Sequence, residues 1–146
     1  MEIIRFLNRV TGNHLLLWKA VAATVVFTLS GLQVMLAARF WQVTGFPSIS
    51  VPVAARLHRI TGRVALTLAV VVALTCLIGP AGPLSPTRVA LHSIFGALVF
   101  VILAVKFSLL KLIRAGERAL PWVGMSLFLS FGVIWATSVA DYLSKR

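Results

Sequence analysis

Residues 15–38 read LLLWKAVAATVVFTLSGLQVMLAA, 24 residues with one charge, Lys19. A helix rises about 1.5 Å per residue, so this stretch is long enough to cross the roughly 30 Å hydrocarbon core of a bilayer. Three more apolar stretches follow, at about 53–79, 89–113 and 122–140. They are divided by FPSISVP (46–52), GPAGPLSP (79–86) and RAGERALP (114–121). Pro52 and Pro121 stand at or just before a helix start, where a missing N–H costs nothing. In lipid, only helices satisfy their own backbone without an edge, so each stretch reads as a helix. Connections this short make neighbouring helices antiparallel. The fold class is therefore all-α: an integral membrane, antiparallel four-helix transmembrane bundle. It forms a single domain over 1–146, with both termini on the same side. The first stretch is too long for the apolar core of a signal peptide and reads as a retained span.

Composition agrees. Of 146 residues, 60% are hydrophobic and 12% charged, and the mean hydropathy is +1.00. Soluble domains carry about 25% charged residues, and a small domain has too little interior to hide so much apolar surface. The net charge of +11 does not point to nucleic acid, because the basic residues sit at span ends and in short loops. There they suit anionic lipid headgroups, so the lipid bilayer is the first partner. The face with both termini and the second loop (side Y) holds Arg5, Arg9, Lys19, Arg88, Lys145 and Arg146. The face with the first and third loops (side X) holds Arg39, Arg56, Arg59, Arg63, Lys106, Lys111, Arg114 and Arg118. Six against eight gives no decisive orientation by the positive-inside rule.

Ionisable groups inside a bilayer are costly and mark function by default. Here they are His14, Lys19, His58, Arg63, His92 and Lys106. The only acids are Glu2, Glu117 and Asp141, which excludes a catalytic carboxylate pair within the spans and a relay built on one. Cys76 is the only cysteine, so there is no internal disulfide and no C-x-x-C-H attachment of heme. A mid-span cysteine reads as a small apolar packing residue. Trp18, Trp41 and Trp122 fall near span ends as an aromatic belt, and the deeper Trp135 reads as packing. Ser126, Ser130, Thr137 and Gly132 read as helix-packing residues. Phosphate loops, clustered metal ligands and nucleophile elbows are absent from the sequence.

A short repeat carries the most information. Leu57-His58-Arg59-Ile60-Thr61-Gly62 opens the second span and Leu91-His92-Ser93-Ile94-Phe95-Gly96 opens the third, both L-H-x-I-x-G. Positions four apart share a helix face, so each histidine is followed on that face by a glycine, Gly62 or Gly96. An imidazole beside a missing side chain suits a flat iron macrocycle. The competing reading is an interfacial histidine beside a small-residue helix contact. His58 and His92 begin antiparallel spans at opposite faces, roughly 25 Å apart in height, so they cannot share one iron. His14 starts the first span on the face of His92, and the first and third spans lie diagonally in an up-down bundle. His14/His92 is therefore the first candidate pair. The diagonal partner of His58 would come from the fourth span, where Met125 stands; methionine is a known axial ligand. Lys106, roughly 27 Å from the second loop, lies near the level of His58. It can snorkel to side X, pair with a heme propionate or ligate iron, the first two together being favoured. Arg56, Arg59 and Arg63 can also meet propionates or lipid headgroups.

The two L-H-x-I-x-G segments and Ala104-Val105-Lys106 make residues 53–140 resemble small bacterial four-helix membrane proteins of the b-type cytochrome class. More distantly, they resemble transmembrane cytochromes b with one heme near each face. That resemblance implies histidine ligation on alternate helices, with His92 at one site and His58 at the other. The chain departs from the pattern in having three histidines and none in its fourth span, so the implied heme b count is one or two. The expected function is a heme-b-binding membrane electron-transfer subunit of the bacterial cytoplasmic (inner) membrane. Its expected partners are quinone or a redox subunit, within a larger membrane redox complex or a homo-oligomer. The alternative is a cofactor-free structural or assembly subunit. Either fits better than a stand-alone enzyme.

Overall fold

The computed structural model describes residues 14–78, 85–112 and 119–140, with positions 2, 5, 9, 11, 12 and 143. The chain forms α1 (Leu15–Phe40), α2 (Val51–Ile78), α3 (Pro86–Leu112) and α4 (Leu120–Trp135). A π-helical turn, Ala136–Ala140, continues α4. Each span matches its apolar stretch to within a few residues; the expected ends at Gly79 and Ile113 lie outside the described residues. Pro52, Pro86 and Pro121 each fall in a first turn, where proline's fixed φ favours the start of a helix.

All four helices are long and apolar enough to cross a membrane. Their large apolar side chains face outward: Leu77 is 83% exposed, and Val101, Leu110 and Leu129 are largely exposed. Water would not tolerate this surface, and lipid covers it without penalty. The protein is a multi-pass membrane bundle.

The helices are not packed evenly. α1 packs on α2 and on α4, and α3 packs on α4, but α2 and α3 hardly touch. Polar and aromatic contacts explain the pairing. Between α1 and α2, the Gln33 amide donates to Thr61, and the His58 ring bonds the Gln33 carbonyl at 3.1 Å. Between α1 and α4, Phe27 stacks between Phe128 and Trp135, with ring centroids 5.4 and 5.6 Å away. The Trp135 indole N–H donates to Thr24 Oγ1 at 3.0 Å, which fixes the packing role expected of it. Gly31 and Gly132 lie against these rings: a Cβ at either would sit in ordinary van der Waals contact, 3.5 Å from a ring carbon of Phe128 or Phe27. Between α3 and α4, His92 meets Thr137. The result is an open bundle in the order α2, α1, α4, α3.

Candidate functional site

The gap between α2 and α3 forms a cavity of about 410 Å³, with α1 and α4 behind it. That volume falls in the range of small-molecule and cofactor sites, about 300–1,000 Å³. His92 and Gly96 of α3 line it, with Ala69, Ala73 and Cys76 of α2 and Trp135 of α4.

His92 is half-buried there, and its Nδ1 lies 3.4 Å from Thr137 Oγ1. A hydroxyl has one proton to give. Thr137 directs its own to the Val133 carbonyl at 2.8 Å and the Ile134 carbonyl at 3.1 Å. The His92 ring also bonds the backbone carbonyl of Ile134, so α4 holds it from two oxygens. A ligating histidine is commonly held in this way, its second nitrogen donating to an oxygen of the outer shell. Thr137 sits in the π-helical turn, an irregularity often found at functional sites. Gly96, one turn after His92, has nothing within 4 Å of a built Cβ, so the space beside the imidazole is open. Lys19 is in electrostatic range of both His92 and Cys76, which places all three near side Y.

His58 is set differently. Its Nδ1 faces a carbonyl, which can only accept, so Nδ1–H donates and Nε2 keeps its lone pair. Phe40 packs edge-on against the ring at 5.2 Å between centroids. But Gly62 is not open: a Cβ there would lie 2.9 Å from Gln33 Oε1. The glycine one turn after His58 makes room for a glutamine of α1, which the motif alone does not reveal. A Gly62→Ala change must push aside an amide held by its bond to Thr61. We expect the displaced hydrogen bond, worth about 1 kcal/mol, to cancel the roughly 0.5–1 kcal/mol that alanine gains over glycine within a helix, measurable by unfolding in detergent. A Gln33→Ala background should leave only the gain.

The other candidates lie apart. His14 is exposed as the N-cap of α1, without a side-chain capping bond. Met125 and Arg59 are exposed on α4 and α2, as are Arg56 and Arg63. Lys106 is half-buried on α3 and in electrostatic range of His58, consistent with the shared level expected. Cys76, expected as a packed residue, is free and exposed at the cavity wall. Asp141 lies outside the described residues. Among the described residues, no group of three or more His, Cys, Asp or Glu could hold a metal ion; the His92 site offers a single imidazole.

The spacing argument passes over Gln33 and Thr137. An amide in mid-span must find a partner, and that signal was available for Gln33. Thr137 had no such signal, because a threonine can bond back to its own helix, as this one also does.

No curated protein and no solved structure matches the chain. A family model described as a family of unknown function, DUF6529, matches residues 5–146.

Proposed function

Since this chain belongs to the DUF6529 family of unknown function, we propose from its own geometry that it is a heme-b-binding electron-transfer subunit, in which His92 would hold one heme. The observation that carries this reading is one imidazole on the wall of an intramembrane cavity beside an open glycine. The residues fit the group. A Cβ at Gly96 would project into vacant space, leaving room for a flat ring beside His92.

Heme, when bound, supplies a one-electron couple. The chain's own residues do the rest. His92 would hold the group through a ring nitrogen, with Thr137 beside the ring to orient it. Val99, Phe100 and Phe131 keep the cavity apolar, which favours the form of lower charge and so raises the potential. Lys19 supplies a positive charge at the same level. His58 does not belong to this site, and its filled glycine notch favours one heme over two. Lys106 and Arg59 go with the His58 end and suit lipid headgroups there. The exchange partner is a membrane quinone or a redox subunit, in the bacterial inner membrane, with the chain in a larger complex or a homo-oligomer.

The test is a pyridine-hemochrome count on protein made with ample heme. One heme b per chain is the expected result, and a colourless preparation would overturn the reading in favour of a cofactor-free structural subunit. Thr137→Val should keep the pigment but weaken heme retention about 10- to 100-fold, the usual cost of losing a ligand's outer-shell partner. Transfer of heme to apomyoglobin measures it.

A further inference from the structure

We infer that the side-X end of the gap between α2 and α3 binds the phosphate of an anionic membrane lipid, clamped by Arg59 of α2 and Lys106 of α3. This goes beyond the heme reading and does not depend on it.

Helix geometry places the residues. Cys76 and Leu77 line the cavity from α2. His58 and Arg59 precede them by 18 residues, about five full turns, and so stand on the same faces of α2. Val99 lines the cavity from α3. Lys106 follows it by seven residues, about two turns, and returns to within roughly 20° of the same face. α2 and α3 hardly touch. The gap that is an apolar cavity towards side Y is therefore edged by basic residues towards side X. Lys106 and His58 are in electrostatic range of each other. His58 is held from behind, its ring bonded to the Gln33 carbonyl and packed edge-on by Phe40. Arg59 is exposed and Lys106 half-buried.

Depth and charge identify the ligand. α2 and α3 have 28 and 27 residues, about 40 Å each, close to a bilayer with its headgroups, about 40–45 Å. Arg59 lies eight residues after Val51, the start of α2, and Lys106 six before Leu112, the end of α3. Both backbones thus enter the helices by about 9–12 Å, just below the headgroup layer. Their long stems turn back and bring the charges to the level of lipid phosphate. By sequence, side X carries eight basic residues and one acid, Glu117. One carboxylate cannot balance eight cations, so most of the countercharge comes from outside the chain. A guanidinium fork meets two phosphate oxygens at once, and an ammonium adds a point charge on the other flank. The parted helices let a lipid enter sideways, with its acyl chains along the gap. A lipid with net negative charge is favoured over a zwitterionic one, which brings its own cation.

The experiment is thermal unfolding of the full-length protein in neutral detergent, titrated with phosphatidylglycerol, phosphatidylcholine or inorganic phosphate. We expect phosphatidylglycerol to raise the midpoint saturably, and the other two to raise it little at the same concentration. Lys106→Gln and Arg59→Gln should each weaken the apparent affinity about fivefold, with helix content by circular dichroism unchanged. Arg56→Gln is the control. Arg56 is also exposed near side X but stands on the face of Leu74, 18 residues on, outside the cavity wall, and its loss should change the affinity by less than twofold. An Arg56→Gln effect as large as that of Lys106→Gln would overturn the site in favour of diffuse attraction to the surface. Equal stabilisation by inorganic phosphate would overturn the lipid as its source. No stabilisation by phosphatidylglycerol would overturn the proposal outright and leave Lys106 to a partner's carboxylate. The heme count plays no part in these outcomes, so the two readings stand or fall separately.

Discussion

Replacing His92 with alanine is expected to abolish the heme absorbance of the protein and leave its helix content intact. The first half follows from coordination. His92 is the one imidazole on the cavity wall, and without it the pocket can hold a macrocycle only by apolar contact. The second half follows from what the side chain leaves behind. Thr137 keeps its 2.8 Å bond to the Val133 carbonyl, so no buried hydroxyl is orphaned. His92 is only half-buried, and the lost hydrogen bond is worth about 1 kcal/mol. The matched controls are His14→Ala and His58→Ala, which should retain the Soret band at wild-type intensity per chain. Absorbance spectra with circular dichroism on the same samples measure both effects. Pigment retained in His92→Ala would place the ligand elsewhere, with His58 the first alternative.

Gly96→Leu should have nearly as large an effect by a different cause. Nothing lies within 4 Å of a Cβ at Gly96, and the residue lines the cavity. A leucine there grows into space that packing does not use, so the helices need not move. Glycine within a helix costs about 0.5–1 kcal/mol relative to alanine, so the variant should be no less stable than wild type. Its cavity, however, is filled where the ring is expected to lie. Loss of heme with equal or greater thermal stability is the expected outcome. A helix-contact glycine would behave in the opposite way, as Gly62 should, because there the new atom meets Gln33. If Gly96→Leu binds heme as well as wild type, the macrocycle does not use this notch.

The contrast between the two glycines shows where sequence reasoning stops. L-H-x-I-x-G occurs twice, and both copies place glycine one turn from histidine on the same face. In the fold, one glycine faces a cavity and the other faces an amide of α1. The difference lies in the neighbouring helix, and the motif carries no information about it. His14 was paired with His92 because both start spans at one face; nine residues of helix separate it from the nearest α1 residue of the cavity wall.

Four spans, their limits and their alternation follow from the chain alone. Hydrocarbon thickness sets their length, and an unpaired backbone group is too costly there for any other solution. Which helices adhere, and which pair is left parted, was decided only in three dimensions. Lipid is as apolar as leucine, so hydropathy does not rank one helix contact above another. The ranking comes from ring stacks, close glycines and a few hydrogen bonds, among them Phe27 on Trp135, Gln33 on Thr61 and His92 on Thr137. These join every neighbouring pair but α2 and α3, and that is why the cavity lies there.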